Sequence, residues 1–331
     1  MSTTTDKPQV KRDVSDLTDI NKLKHMGDDK TGAFQRKAAS FRNTIEKGGK
    51  FEPEKGRYHL YVSYACPWAH RTLITRKLKG LDDIISVTVV SPRMGEHGWP
   101  FVNADYFPGA QEDPYNHASH IKDIYLKVDP EYDGRFTVPV LYDTKLSTIV
   151  NNESAEIIRI FNTAFNELIP AEKAAIDIYP DEHRKEIDEV NTWVYDTVNN
   201  GVYKSGFART QEAYEPAVKG VFASLDKLEK MLQGKDYLIG DRLTEADIRL
   251  YVTIVRFDPV YHGHFKCNFH TIRSGHYPSI HAWVRRLYWT VPEFHETTHF
   301  DHIKTHYYWS HPFINPTRVV PLGPIPNIEP L

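Results

Sequence analysis

The sequence predicts a mixed α/β domain followed by an all-helical one, on three observations. Strand-like runs rich in β-branched and aromatic residues end near residue 150. Amphipathic helical stretches without strand signals dominate from about residue 180. The 331 residues are length enough for two domains of ~150 residues, each with a buried core.

Residues 1–50 are polar and weakly periodic, with "GDDK" and "EKGGK". They are expected to form an arm, with a short helical piece at "AFQRKAASFRNTI". "RYHLYVSYA", residues 57–65, is a strand candidate. "PWAHRTLITRKLKGL" reads as a helix, with Pro67 at a first helical position and Trp68, Leu73, Ile74 and Leu78 near helical spacing. "IISVTVVS" reads as a buried strand, and strand–helix–strand implies a parallel pair with a right-handed crossover. Residues 91–134, sown with Gly, Pro, Asp and Asn, are expected to be a long insertion. "RFTVPVLYD" and "STIVNNES" give two short strands about a turn, and "AEIIRIFNTAF" a helix. The order over 57–165, βαβ then ββα, is that of a thioredoxin-like sheet. Pro139 removes a ladder donor from its strand, a conflict that a cis Val138–Pro139 bond at the strand's start resolves.

Beyond residue 180, "EIDEVNTWVYDTVNNGVYKSGF", "YEPAVKGVFASLDKLEKML" and "LTEADIRLYVTIVRF" are long amphipathic segments, the pattern of an all-helical domain. Thr244 with Asp247 resembles a capping box. The final stretch, "HPFINPTRVVPLGPIPNIEPL", holds six prolines and is expected to lie along the surface as a non-helical tail. The expected division is an arm at 1–50, a thioredoxin-like domain at 51–170, an all-helical domain at 171–310 and a tail at 311–331.

Composition narrows the function. A net charge of −3 with both signs interspersed is unlike the basic stripe of a nucleic-acid binder. No apolar run approaches the roughly 18 residues of a membrane span. The N-terminus has no apolar leader, and its acidic residues do not suit a mitochondrial transit peptide. Two cysteines fit a reducing compartment, so the expected location is the cytoplasm.

The chemistry centres on "SYACPWAH". Cys66 stands between a strand end and a helix start, where unpaired N–H groups and the helix dipole favour a thiolate. The alternative is an inert buried thiol. Ala69 occupies the place of a resolving cysteine, and Cys267 is expected to be a core residue of the other domain. An oxidised Cys66 is therefore expected to form a mixed disulfide broken by an external thiol, and in a cytoplasm the expected thiol is glutathione. An extended peptide can pair with Val138 beside the proline. Ser154, at a helix start, suits a carboxylate and Glu153 an α-ammonium. Trp99 and Arg135 are candidates for the peptide's other end. The bland alternative makes Asn152 or Ser154 only a helix cap.

Taken together, "YVSYACPWAHRTLITRKLKGL", "RFTVPVL", "IVNNESAEIIRI", "NNGVYKSGFA", "LTEADIRLYVTIVRFDPVYHGHFKCN" and "DHIKTHYYWSHPFINPT" resemble the glutathionyl-hydroquinone reductases. These are the xi-class glutathione transferases, with their fungal omega-like members, and the similarity runs from about Thr31 to the end. The resemblance implies a thioredoxin-like domain followed by an all-α glutathione-transferase domain, usually in a homodimer. It implies Cys66 as nucleophile and Trp99, Arg135, Val138, Glu153 and Ser154 as glutathione contacts. It also implies Tyr203, Tyr261 and Tyr307, or Tyr308 beside it, as the lining of a hydroquinone site. The implied reaction reduces S-glutathionyl-hydroquinones, with glutathione as co-substrate and no metal.

Two other functions compete. One is a general omega-like activity, thiol transfer or dehydroascorbate reduction, which the three tyrosines separate from the first. The other is a non-catalytic binding module, which predicts a buried or ordinary Cys66 thiol. His295, His299, His302 and His306 would form one stripe if helical, a spacing seen in zinc sites. They have no Cys or clear carboxylate fourth ligand in register, so the expectation is a solvated or packed helix face.

Overall fold

The structure, a computed structural model, describes residues 31–36, 38–326 and 328–331. Most of the expected arm therefore lies outside the described residues. Strand β1 (Tyr58–Val62), helix α1 (Pro67–Leu78) and strand β2 (Ile85–Val89) form the parallel crossover, in register from Tyr58 opposite Ile85 to Val62 opposite Val89. Strand β3 (Val140–Asp143) runs antiparallel to β1, and β4 (Thr148–Asn151) antiparallel to β3. The sheet order is β2-β1-β3-β4. The Val138–Pro139 bond is cis and lies just ahead of β3, so the proline withholds no donor from the ladder.

Helix α1 buries nearly its whole circumference, polar residues included, because α3 (Ser154–Thr163) and the helical half flank it. That explains why its apolar periodicity was loose. The 91–134 insertion contains a helix the sequence reading did not separate, α2 (Ile121–Val128). Asp123 opens it, its carboxylate accepting from the His120 N–H at 2.8 Å, and Ile121, Ile124 and Tyr125 form its buried face. The expected helical piece at 33–45 is absent at the described positions. The chain there is extended, Asn43 N–H donating to Val150 O and Asn152 N–H to Phe41 O, each at 3.0 Å. The exposed edge of β4 needs partners for its backbone, and that demand outweighs a weak local helical preference.

The helical half comprises α4 (Ala171–Ala174), α5 (Arg184–Val194), α6 (Gly201–Gly206), α7 (Gln211–Leu232), α8 (Glu245–Ile254), α9 (Pro278–Thr290), α10 (Pro292–Glu296) and α11 (Phe300–Ser310). A wide π-helical turn joins α5 to α6, and another follows α8 at Phe257–Tyr261. Two apolar cores result, one beneath the sheet and one among the helices. The capping box of α8 is present, Thr244 N–H donating to Asp247 Oδ2 at 3.1 Å. Asp247 Oδ1 also accepts from Leu238 N–H and Trp283 Nε1, which locks α8 to α9. The described residues of the tail contain no helix; Ile328 and Glu329 lie against α9, where Arg285 Nε donates to Glu329 O at 2.7 Å.

Candidate active site

Cys66 is the N-cap of α1, with extended backbone (φ −74°, ψ 120°) and Pro67 at the first helical position. Its carbonyl accepts the first helical bond, from His70 N–H at 3.0 Å. The N–H groups of Trp68 and Ala69 face its sulfur. The sulfur donates to Val138 O at 3.4 Å, and only 8% of the residue is exposed. Burial pushes the thiol pKa up; the Ala69 and Trp68 N–H groups and the charges of Arg256 and Arg36 oppose it without prevailing. The expected open, ionised sulfur is thus corrected for the unliganded protein. Desolvation in a closed pocket outweighs the helix terminus. Cys267 sits in the helical core, where burial pushes its thiol up to about 12.

Val138 therefore touches the sulfur directly. Glu153, rather than Asn152 or Ser154, is the N-cap of α3, its Oε1 accepting from Ala155 N–H at 3.0 Å. Ser154 opens the helix, and its hydroxyl accepts from Arg71 Nη1 at 3.3 Å. Asn152 serves the packing instead, donating to the Tyr125 hydroxyl and accepting from Phe41 N–H. Trp99 is buried and stacks on His306 of α11, ring centroids 4.4 Å apart. Arg135 is partly exposed and reaches the Gln35 carbonyl at 3.5 Å, so it borders the N-terminal stretch.

The three tyrosines, over a hundred residues apart at their extremes, meet. The Tyr307 hydroxyl is 2.5 Å from that of Tyr203 and 2.9 Å from that of Tyr261. Burial pushes all three phenol pKa values up, and Tyr203 also senses the charge of Cys66. Tyr308 turns away, bonding Pro259 O and packing on His264. Tyr307 is thus the member that joins the cluster.

The description "Glutathione S-transferase, N-terminal domain" matches residues 65–164, and "Glutathione S-transferase, C-terminal domain" matches residues 211–286. The crystal structure of the glutathione S-transferase Xi from Phanerochaete chrysosporium is 69% identical, with a TM-score of 0.91 over 93% of this chain and 98% of that one. The chain belongs to the xi class of glutathione S-transferases. The glutathione S-transferase omega-like 2 of Schizosaccharomyces pombe is 58% identical over 91% of this chain and 96% of its own length. The glutathionyl-hydroquinone reductase YqjG of Escherichia coli is 54% identical over 90% of this chain and 91% of its own. The glutathione-bound structure of that protein superposes with a TM-score of 0.83, covering 91% of this chain and 96% of that one.

Within this xi-class transferase, several residues around the sulfur escaped the sequence reading. Phe34 and Arg36, from the stretch read as a polar arm, pack on the site. Phe34 stacks on Tyr203, and the Arg36 guanidinium lies 4.5 Å over the Trp68 ring. The lone Phe in "GAFQR" was the available signal. Arg71 and Arg256 are buried arginines, a class that sequence patterns assign to the surface. The histidine run forms no single stripe, because α10 ends at Glu296 and α11 begins at Phe300. His299 stacks on Tyr64, and His302 and His306 donate to Pro108 O and Pro92 O. Among the described residues no group of three His, Cys, Asp or Glu side chains is placed to hold a metal ion. No helix among them is long and apolar enough to cross a membrane.

Proposed function

We propose that the chain reduces S-glutathionyl-hydroquinones to hydroquinones, with Cys66 as nucleophile and glutathione as co-substrate. The observation that carries the reading is the chain of three phenol hydroxyls, whose Tyr203 member is electrostatically coupled to the Cys66 sulfur. A general omega-like thiol transfer has no need of it. Of the relatives above, the Escherichia coli protein is named a glutathionyl-hydroquinone reductase and supports this reading, while the Schizosaccharomyces pombe one carries the omega-like name.

In this reading the Cys66 thiolate attacks the glutathionyl sulfur and forms a Cys66–glutathione disulfide. The carbon–sulfur bond breaks toward the ring, which takes up one proton and leaves as the hydroquinone. An aryl carbon is a poor leaving group, so acid assistance from the phenols as the bond breaks lowers the barrier. A second glutathione thiolate then attacks the glutathione sulfur of the adduct, releasing glutathione disulfide and returning Cys66. The net change is glutathionyl-hydroquinone plus glutathione to hydroquinone plus glutathione disulfide.

Ligand binding also addresses the raised thiol pKa. In the free protein the sulfur donates to Val138 O, a bond that only a protonated thiol makes. A glutathione backbone N–H pairing with that carbonyl takes the acceptor away. The sulfur then keeps the partners that favour its charge: the Trp68 and Ala69 N–H groups, Arg256 and Arg36. Glu153 and Ser154 would receive the γ-glutamyl end, with Trp99 and Arg135 at the other. The proposal takes 51–170 as the glutathione-binding unit and 171–310 as the substrate-binding unit of a cytoplasmic homodimer.

Incubation with glutathionyl-menadione followed by peptide mass mapping tests this. The expected result is a glutathione adduct on Cys66 that added glutathione removes, and no turnover by Cys66→Ser. Appreciable turnover by Cys66→Ser overturns the assignment.

A further inference from the structure

Arg256 follows α8 in the helical half, yet its side chain serves the loop that carries the thiol. Its Nε donates to Ala65 O at 3.0 Å and its Nη2 to Tyr64 O at 3.0 Å. Its Nη1 donates to His70 Nδ1 at 2.9 Å and to Val252 O at 2.8 Å. The residue has no exposed surface. Every acceptor it uses is neutral, and among the described residues no carboxylate forms an ion pair with it. A guanidinium stays charged under all ordinary conditions. A dry, full positive charge without an anion is unfavourable, and protein interiors rarely keep one. The two carbonyls it holds immediately precede Cys66, whose sulfur acquires a negative charge in the proposed reaction.

The same fork settles the role of His70, one turn into α1. Because Arg256 can only donate, His70 Nδ1 accepts, and the ring proton is on Nε2, which donates to Thr297 Oγ1 at 2.9 Å. The Thr297 hydroxyl in turn donates to Glu293 O at 2.7 Å. Burial and the Arg256 charge hold His70 neutral, its pKa well below the ordinary range. With both ring nitrogens engaged, His70 is not a base for the thiol.

We propose that Arg256 is the positioning residue and fixed counter-charge of Cys66: its fork fixes the Tyr64–Ala65 carbonyls that set the sulfur's place, and its unneutralised charge stabilises the thiolate formed in turnover. This rests on Cys66 being the nucleophile. Groups facing the sulfur from each side are the Trp68 and Ala69 N–H of α1, the Val138 carbonyl before β3, Arg36 of the N-terminal stretch and Tyr203 of α6. Groups sensing Arg256 are His70, Tyr203 of α6, Tyr251 of α8, Tyr261 after α8, and His299, His306 and Tyr307 at α11. The Arg256 charge opposes the upward push of burial on the thiol, in the same direction as Arg36.

The test is the pH profile of Cys66 alkylation by iodoacetamide, mapped by peptide mass so that Cys267 does not contribute. It is run on the full-length protein and on Arg256→Gln and Arg256→Lys, with hydroquinone turnover measured in parallel. Arg256→Gln is expected to raise the apparent thiol pKa by about one unit or more, leaving roughly tenfold less thiolate at neutral pH. Arg256→Lys is expected to keep the pKa within a few tenths but to lower kcat, since an ammonium does not span two carbonyls and an imidazole. An unchanged pKa in Arg256→Gln, or a Lys variant that shifts as far as Gln, overturns the proposal. Should Arg256→Gln not fold, Arg256→Lys decides alone: a shift of a unit or more refutes it, and an unshifted thiol with reduced kcat supports it. Failure of the nucleophile assignment shows separately, as turnover by Cys66→Ser in a protein with Arg256 intact, and removes the proposal with it.

Discussion

Replacing Tyr307 by Phe keeps the ring and deletes one oxygen at the middle of the phenol chain. Tyr307 is fully buried, and its hydroxyl is the shared partner of Tyr203 and Tyr261. Each neutral hydrogen bond contributes a net ~1 kcal/mol, and a buried hydroxyl left without a partner costs about 1–3 kcal/mol. Tyr203 and Tyr261 also influence one another, so partial re-pairing limits the loss. The expected destabilisation is about 1–3 kcal/mol, larger than for Tyr203→Phe or Tyr261→Phe, each of which leaves Tyr307 one partner. Chemistry is expected to suffer more. Acid assistance of this kind contributes about 10²–10⁴-fold, so kcat on glutathionyl-menadione is expected to fall by at least about 100-fold. Glutathionylation of Cys66 by glutathione disulfide has a thiolate leaving group that needs no phenol, and is expected to stay within about twofold of native. Steady-state kinetics, intact mass and urea unfolding read the three quantities. Turnover within a few-fold of native in a folded Tyr307→Phe protein refutes the role of the cluster. A smaller stability loss than in Tyr261→Phe refutes its geometry.

Changing Ala69 to Cys places a second thiol one helical turn from Cys66, and mass spectrometry after oxidation is expected to show less glutathione adduct than native; an unchanged adduct contradicts the helix geometry at that turn. Acid stability follows from the buried imidazoles: burial lowers His59 to about 4, His306 to about 4 and His264 to about 3. Each folded-state pKa lies below the unfolded value of about 6.5, so the unfolded chain takes up these protons first, and stability present above pH ~6.5 is lost as pH falls toward the folded values. Three such groups give a slope of about 4 kcal/mol per pH unit between about pH 5 and 6, and urea titrations with a slope below about one proton contradict the burial of this layer.

What the sequence made legible was local. Pro67 after Cys66 marks a helix start, Thr244 with Asp247 marks another, and the alternation of short strands sets the sheet order; each is decided by neighbours in the chain. Helix α2 was lost because its eight residues sit inside an insertion whose Gly and Pro content masks a short period. The strand-like run of 38–45 was lost because the need of the β4 edge for partners is set by the fold, not by those residues. The phenol cluster had no signal of its own among nineteen tyrosines; only the resemblance singled its members out. The state of Cys66 was misjudged for a related reason. A helix terminus acts over one turn and is visible in sequence, while desolvation depends on everything that closes over the sulfur.

The two halves of the chain divide the chemistry accordingly. The thioredoxin-like part supplies the sulfur, the helix start and the Val138 backbone. The charge on the loop before the sulfur comes from Arg256, 191 positions after Ala65, and the phenols come from α6, α11 and the turn after α8. A buried thiol with a raised pKa is a poor nucleophile by itself, and the groups that favour its charge come from its own helix start, from Arg36 of the N-terminal stretch and, as Arg256, from the other half. Reactivity at Cys66 is thus expected to depend on docking of the two halves. Weakening Lys77–Glu296, a bond of 2.7 Å between α1 and α10 on the exposed side, leaves that docking in place, whereas removing the buried Arg256 fork does not. An exposed ion pair contributes less than about 1 kcal/mol, too little to move the sulfur. A fully desolvated cation that holds the loop itself acts on the place and the ionisation of the thiol together.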